Sequence, residues 1–334
     1  MKSASFTRRR ALKTVFCSSA YLALNLGTRA AEKVEAAGLN FMMIGDFGNG
    51  EPSQFAVAKG MAKYVQDNRL TPDALLLLGD NFYKKMEGGV KSERWKVGFE
   101  DMYPASVFPG PCPAILGNHD YHDNAGGEKT QLAYAAKDGT RWYMPAKWYR
   151  RDFSVGGVSV TMLFLDTNLR SVSGSKDAKT GKTKASLTEA EEKEQWAWLK
   201  AELGKSRGNY TFVLGHHPVY SNGLHGDSKE LVKTLAPLLQ ESGVHLYLCG
   251  HDHDLQHLEL EGQRTSFVLS GGGGARVRAL DKPTHKDQPY GKDIYGFSHI
   301  QVSAARCLVT HYDANRAVLH QFEKRPDFSW KALA

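Results

Sequence analysis

Asp73-Ala74-Leu75-Leu76-Leu77-Leu78-Gly79-Asp80-Asn81-Phe82-Tyr83 is the stretch on which the reading of this chain turns. Ala74–Leu78 is a continuous apolar run of strand length, which suits a strand buried within a sheet. Glycine then allows a sharp turn, and a carboxylate and a phenol follow at the strand end. In α/β sheets that edge is where ligands bind. Asp80 has two oxygens and can join two metal ions. Tyr83 offers a hard anionic oxygen, which suits trivalent iron better than zinc. If both are ligands, polar side chains from other strand ends should converge on them.

Four further stretches repeat the arrangement. Leu39–Ile44 leads to Gly45-Asp46-Phe47-Gly48, and Pro113–Leu116 leads to Gly117-Asn118-His119-Asp120. Thr211–Leu214 leads to Gly215-His216-His217-Pro218, and Val244–Leu248 leads through Cys249 to Gly250-His251-Asp252-His253. A lone Asp or Asn after glycine at a strand end is ordinarily a turn or a helix cap. A lone His-x-His is more often structural. Five such motifs across about 200 residues, all after apolar runs, are a far more specific signal.

The segments between the motifs read as helices and further strands. Ser53 is expected to cap a helix carrying Phe55, Ala58, Met61, Ala62 and Val65. Thr188 and Glu191 fit a capping box for a helix carrying Trp196, Leu199 and Leu203. A third helix, with Leu231, Leu235 and Leu238, should be kinked by Pro237 and ended by Gly243. Two β-rich runs between Tyr149 and Asp166 meet at Gly156-Gly157, and the tail alternates strands. The whole reads as one α/β domain of two packed mixed sheets with helices outside. Residues 171–187, rich in Ser, Gly, Lys and Thr, read as a long mobile loop. The run Gly271–Gly274 reads either as a close backbone approach to the ligand cluster or as a plain turn.

Composition narrows the class. The chain has 334 residues, 41% of them hydrophobic and 10% aromatic, enough for a sizeable core. Its net charge of +7 comes largely from Lys2, Arg8, Arg9, Arg10, Lys13 and Arg29; without these six the balance is +1. That placement argues against a nucleic-acid partner. Residues 1–36 read as a signal peptide, with a basic start, an apolar stretch Val15–Leu26 and small residues at Ala30, Ala31, Ala36 and Ala37. Thr7-Arg8-Arg9-Arg10-Ala11-Leu12-Lys13 resembles the twin-arginine export motif, with Ala11 where Phe is usual. The expectation is a bacterial periplasmic or secreted protein whose precursor meets the twin-arginine machinery. Cys17 lacks a lipobox, so no stable membrane anchor is expected. Cys112, Cys249 and Cys307 allow at most one bridge, so this is no disulfide scaffold.

With these motifs, and with the segments Trp142-Tyr143-Met144-Pro145, Phe164-Leu165-Asp166-Thr167-Asn168, Tyr247–Gln256 and Val268–Gly273, the chain resembles a known family. It is similar to the small purple acid phosphatases of the mammalian tartrate-resistant type, within the calcineurin-like metallophosphoesterases. The resemblance covers nearly all of residues 38–334, taken as a single catalytic domain. It implies a four-layer α/β/β/α sandwich of two mixed β-sheets flanked by helices. It implies a dinuclear centre of Fe(III) beside Fe(II), Zn(II) or Mn(II), acting on a small phosphate ester with a metal-activated hydroxide. Carried over by motif, Asp46, Tyr83 and His253 would hold the ferric ion. Asn118, His216 and His251 would hold the divalent ion, with Asp80 bridging. Such a centre keeps about one positive charge after its anionic ligands are counted, which favours a phosphate dianion over a neutral ester.

His119 and His225 are the catalytic candidates, matching the family's histidine after the Asn ligand and its loop histidine nine residues after His216. They would bind phosphate and protonate the leaving alkoxide. Asp120 is expected to orient His119. His217 stands where the mammalian type has Tyr, and reads equally as a substrate contact or a packing residue. The alternative function on the same scaffold is a phosphodiesterase or nucleotide pyrophosphatase; relatives of that kind commonly lack the Tyr ligand. A non-catalytic phosphate-binding module is the reading from outside the enzymes, and the full ligand set argues against it.

Overall fold

Strand β1 (Leu39–Ile44) pairs in parallel with β2 (Ala74–Leu77) in the computed structural model, which describes residues 38–173, 185–280 and 284–334. All four side chains of β2 are buried, as the unbroken apolar run requires. A short parallel pair, β3 (Cys112–Pro113) and β4 (Trp142–Tyr143), joins β2 through a bridge between Leu77 and Ala114. Strands β5 (Tyr149–Val155) and β6 (Val158–Phe164) form a hairpin. Its turn, Gly156-Gly157, has φ of 56° and 83°, the left-handed geometry of a tight two-residue connection.

The remaining strands are β7 (Tyr210–Leu214), β8 (Leu246–Cys249), β9 (Leu255–Leu258), β10 (Ser266–Ser270), β11 (Tyr290–Lys292), β12 (Gly296–Val302), β13 (Cys307–Asp313), β14 (Val318–Lys324) and β15 (Trp330–Ala332). One sheet has the order β15-β14-β13-β12-β1-β2 and the other β11-β9-β10-β8-β7-β6-β5. Both are mixed. In the second, β6, β7, β8 and β10 run parallel while the outer strands are antiparallel.

Alternation along the strands sets the layers. Met162 and Phe164 of β6 join Phe41, Met43 and Phe297 of the first sheet in one buried cluster. Leu163 and Leu165 point the other way, into a second cluster with Leu199, Leu203, Leu235 and Leu239. Helix α1 (Pro52–Asp67) buries Val57, Ala58, Met61 and Val65 against the first sheet. Helices α2 (Asn118–His122) and α3 (Gly127–Ala135) follow the third motif. Helix α4 (Glu189–Leu203) covers the second sheet, with α5 (Lys229–Thr234) and α6 (Ala236–Glu241). The architecture is the expected pair of mixed sheets between helical layers.

Helix ends test the local reading. Thr188 and Glu191 form the expected reciprocal capping box. Ser53 is not a cap: Glu51 occupies that position and Pro52 opens the helix. Proline's fixed φ and missing N–H suit the first helical residue, which moves the start two positions back. The Ser53 hydroxyl instead donates to the Gly274 carbonyl at 2.6 Å. The kink expected at Pro237 is present: α5 and α6 are separated by Leu235 alone, which keeps right-handed helical φ/ψ, donates to Leu231 O and accepts from Leu239 N. Cys112, Cys249 and Cys307 are free and buried. Among the described residues no helix is long and apolar enough to cross a membrane. The signal peptide and the centre of the loop expected at 171–187 lie outside the described residues.

Candidate metal centre

The five motif loops meet where the parallel strands of both sheets end. Two loops of the first sheet are tied together, Asp46 N to Gly79 O at 3.0 Å and Gly48 N to Asp80 O at 3.3 Å. Two of the second are tied by Gly250 N to His216 O at 3.1 Å. Asp46, Asp80 and His251 all have positive φ, at 56°, 51° and 70°. Non-glycine residues adopt that region at a cost and concentrate at functional sites. Gly79, with φ of 89°, is needed twice over: a Cβ there would lie 2.6 Å from His216 Nδ1. A Cβ on Gly250 would lie 2.4 Å from Asp46 Oδ2. Gly79 and Gly250 are therefore also what let the neighbouring ligands His216 and Asp46 approach.

All seven candidate ligands come together, and their contacts fall into two trios. Tyr83 OH lies 3.3 Å from Asp46 Oδ1 and 3.2 Å from His253 Nε2, with His253 Nε2 3.6 Å from Asp46 Oδ1. His216 Nε2 lies 3.2 Å from Asn118 Oδ1 and 3.3 Å from His251 Nδ1. Asp80 Oδ1 reaches His216 Nε2 at 3.5 Å, and donor atoms of Asp46, Asp80 and His216 all lie within 4.8 Å of one another. Asp46, Asp80, His216 and His253 are buried, whereas Tyr83, Asn118 and His251 are half-buried and open the cluster to solvent.

Backbone contacts orient the rings. His216 Nδ1 lies 2.8 Å from the Leu78 carbonyl, and His253 Nδ1 lies 2.8 Å from the Arg276 carbonyl. A carbonyl only accepts, so each Nδ1 carries the proton and each Nε2 turns inward, the arrangement typical of metal-binding histidine. Ligands held about 2.1 Å from one ion at right angles lie about 3 Å from each other, close to the separations within each trio.

The electrostatics call for a cation. Burial pushes Asp46 well above the ordinary carboxylate range, and the Asp80 charge adds to this against the pull of His216. For Asp80 burial also pushes upward, but the charge and hydrogen bond of His216, with His119 behind them, outweigh it and leave the carboxyl well below its usual range. His216 rises to about 10, because Asp80 and Asp46 together overcome its burial. Tyr83 is held well above its ordinary value by burial and then by the two carboxylates. Burial lowers His251 well below its usual value and lowers His253 to about 4, so both rings offer a neutral lone pair. Two carboxylates, a phenol, an amide and inward ring nitrogens thus share a site in which a proton on His216 is the main compensating charge, with His119 and Arg278 behind it. That donor set fits two adjacent hard or borderline cations.

The other candidates surround this centre. His119 stands over Tyr83, with ring centroids 4.4 Å apart, and its Nδ1 lies 3.0 Å from Asp123 Oδ2. Asp123, not Asp120, is therefore the carboxylate that orients His119. Residues four apart share a helix face, and α2 starts at Asn118; adjacent residues point apart. Asp120 is buried and ties two loops together. It accepts from Gly117 N (2.8 Å), Asn81 N (3.2 Å), Phe82 N (3.1 Å) and Gln131 Nε2 (2.7 Å).

His225 packs against His251, with centroids 4.1 Å apart, and its Nδ1 lies 2.7 Å from Asp252 Oδ1. His217 is buried, with Nδ1 2.9 Å from Thr167 Oγ1, and burial holds its pKa well below the usual value. It also lines a cavity of about 380 Å³ with Pro218, His225, Asp227 and His251. The Gly271–Gly274 run makes the close backbone approach and is not a plain turn: Gly273 N donates to Gly45 O at 3.1 Å, and Ala275 N to Asp46 O at 2.8 Å. Asp123, Asp252, Thr167 and Arg278 went unassigned from sequence. Only Asp123, four residues after His119, left a local signal.

The calcineurin-like phosphoesterase profile matches residues 39–255, the span from β1 to the start of β9. Human tartrate-resistant acid phosphatase type 5 is 33% identical over 293 residues, covering 83% of this chain and 88% of the relative. Purple acid phosphatase 7 of Arabidopsis thaliana is 31% identical over 328 residues, covering 93% of each. Two solved structures share the fold. Plasmodium GAP50, described as an anchor in the inner membrane complex, matches with a TM-score of 0.73 at 22% identity over 86% of this chain and 89% of its own. The purple acid phosphatase PPD1 of yellow lupin seeds matches with a TM-score of 0.64 at 16% identity, over 86% and 53%. The chain belongs to the calcineurin-like phosphoesterases and, within them, to the metal-dependent purple acid phosphatases of the tartrate-resistant type.

Proposed function

We propose that this chain is exported and hydrolyses phosphomonoesters at a dinuclear centre of Fe(III) with Fe(II), Zn(II) or Mn(II). The observation that carries the reading is the arrangement of seven donors as two trios, one containing a phenol, with Asp80 between them. Asp46, Tyr83 and His253 would hold the trivalent ion, Asn118, His216 and His251 the divalent one, and Asp80 both. When bound, such a pair supplies positive charge to the phosphate oxygens and lowers the pKa of a water that attacks phosphorus.

The chain's own residues do the rest. Asp123 accepts from Nδ1 of His119 and Asp252 accepts from Nδ1 of His225, so both rings are fixed with Nε2 on the side away from the carboxylate. Asp123 and the Asp80 charge overcome the burial of His119 and raise its pKa, which keeps it cationic in mild acid. A cationic ring beside Tyr83 can donate to a phosphate oxygen. His225, beside His251, can give its Nε2 proton to the leaving alkoxide. The twin-arginine route carries folded proteins, which suits a protein that acquires its ions before export.

Three measurements test this reading. A phenolate on ferric iron absorbs in the visible, whereas zinc and manganese(II) phenolates do not. The oxidised protein should be purple, and Tyr83→Phe should abolish the band while leaving the melting temperature within a few degrees. p-Nitrophenyl phosphate should be cleaved faster than its bis-ester. A colourless, iron-loaded and oxidised wild type, or a faster diester rate, would move the chain to the phosphodiesterase alternative.

A further inference from the structure

The segment after β10 is stitched across the candidate centre. Gly273 and Ala275 bond to Gly45 and Asp46, and the Arg276 carbonyl takes the Nδ1 proton of His253. Arg278 therefore follows a backbone fixed on both sides of the cluster. Its guanidinium nitrogen Nη1 lies 3.3 Å from His225 Nε2 and 3.4 Å from Nδ1. Near-equal distances to both ring nitrogens mean that it rests against the ring and is not aimed at one lone pair. His225 Nδ1 is in any case engaged by Asp252.

Among the described residues Arg278 has no carboxylate within ion-pairing distance, and its hydrogen-bond contacts are those to His225. A guanidinium has five N–H donors in a fixed fork shaped for carboxylate or phosphate. Most of that fork is unused and half-buried at the mouth of the site. Its charge is felt by Asp46, Tyr83, His251 and His253, so it lies within electrostatic reach of both trios. An oxygen that receives a proton from His225 would also leave beside Arg278.

We propose that Arg278 is a specificity-determining residue: an anion subsite for the leaving group, favouring phosphomonoesters whose alcohol carries a second anionic group near the scissile bond. That group is a carboxylate or a further phosphate. The inference rests on the phosphomonoesterase reading above. The reaction is ordinary hydrolysis: water adds to phosphorus, the P–O bond to the leaving group breaks (an ester bond, or the anhydride bond of pyrophosphate), and a proton goes to the leaving oxygen. Arg278 enters by holding the departing group.

The test compares phosphoserine with phosphoethanolamine, which differ by one carboxylate, and adds inorganic pyrophosphate for the second-phosphate case. Metal-loaded wild type, Arg278→Ala and Arg278→Lys are assayed for kcat and KM. Binding is read separately, as the ratio of inhibition constants for methylenediphosphonate and inorganic phosphate. A charge-assisted fork contact predicts a wild-type preference for phosphoserine of roughly tenfold or more in kcat/KM, mostly in KM.

Arg278→Ala should cut that preference to within about twofold and weaken methylenediphosphonate more than phosphate; Arg278→Lys should restore part of both. Loss confined to phosphoserine assigns the subsite to carboxylates, and loss confined to pyrophosphate assigns it to condensed phosphates. An equal fall on all three substrates with an unchanged inhibition ratio would overturn the subsite and leave Arg278 a support for His225. Wild type that cleaves phosphoethanolamine as well as phosphoserine and pyrophosphate would overturn it too. Wild type that cleaves no monoester would instead bring down the functional reading beneath it.

Discussion

Replacing Asp120 with alanine should damage the protein's stability more than its acid–base chemistry. The buried carboxylate accepts from three backbone N–H groups and from Gln131 Nε2, at 2.7–3.2 Å. Alanine leaves these four donors without an acceptor. A buried donor stripped of its partner costs about 1–3 kcal/mol, and water entering the vacated space offsets part of that. A total of about 3–6 kcal/mol follows, a large share of the ~5–15 kcal/mol that holds a domain folded. A domain of this size unfolds with an entropy of about 0.6 kcal/mol/K, so the melting temperature should drop roughly 5–10 °C.

The same carboxylate joins the loops of Asp80 and Asn118, so metal affinity should fall with it. The assay is thermal melting of the purified protein with excess metal, followed by metal analysis after desalting. Asp120→Asn, which keeps one acceptor oxygen, should fall in between. Asp123→Ala is the control: it should lower kcat through His119 and shift melting by no more than about 2 °C. An Asp120→Ala protein that melts within 2 °C of wild type and retains both ions would refute the loop-tie argument. If it also lost kcat alone, Asp120 would be orienting His119 after all.

Three more outcomes are expected. Gly79→Ala puts a Cβ 2.6 Å from His216 Nδ1 at a φ of 89°, so His216 must move; metal analysis should show fewer than two ions per chain, and full loading with wild-type activity would refute the contact. His299 is buried, and burial lowers its pKa to about 3, so the folded protein refuses a proton that the unfolded chain accepts below about 6.5. Its contribution is complete above that pH and is lost as pH falls toward 3, by about 2 kcal/mol at pH 5; His299→Gln should therefore lose less stability than wild type between pH 7 and 5, and equal pH slopes in urea titrations would count against it. Lysines at Arg8 and Arg9 should stop export by the twin-arginine route, which fractionation with a reporter would show; normal periplasmic levels would favour a general secretory leader.

The candidate ligands were legible because each motif is a local event. An apolar run makes a strand, a glycine turns it, and the next polar residue stands at the sheet edge, all within some ten residues of chain. Repetition of the pattern implied convergence, since parallel strands end on the same side of a sheet. The boundaries were less legible. Pro52 shifted a helix start by two residues, and the kink expected at Pro237 falls at Leu235, between α5 and α6.

What surrounds the ligands was decided by tertiary structure. Helix α2 has five residues, too few to show a period, so nothing local said whether His119 would meet Asp120 or Asp123. Asp120 found its partners at Asn81, Phe82 and Gln131, on other segments of the chain. His217 could have faced a substrate or the interior, and Thr167, at the end of a neighbouring strand, takes its Nδ1. Arg278 reaches the site because backbone bonds from Gly273 and Ala275 run to Gly45 and Asp46, more than 200 residues earlier. Pattern along the chain determines which residues stand at strand ends. Which of them touch is set by how two sheets stack and how loops close hydrogen bonds across them, and those contacts leave no period in the sequence to read.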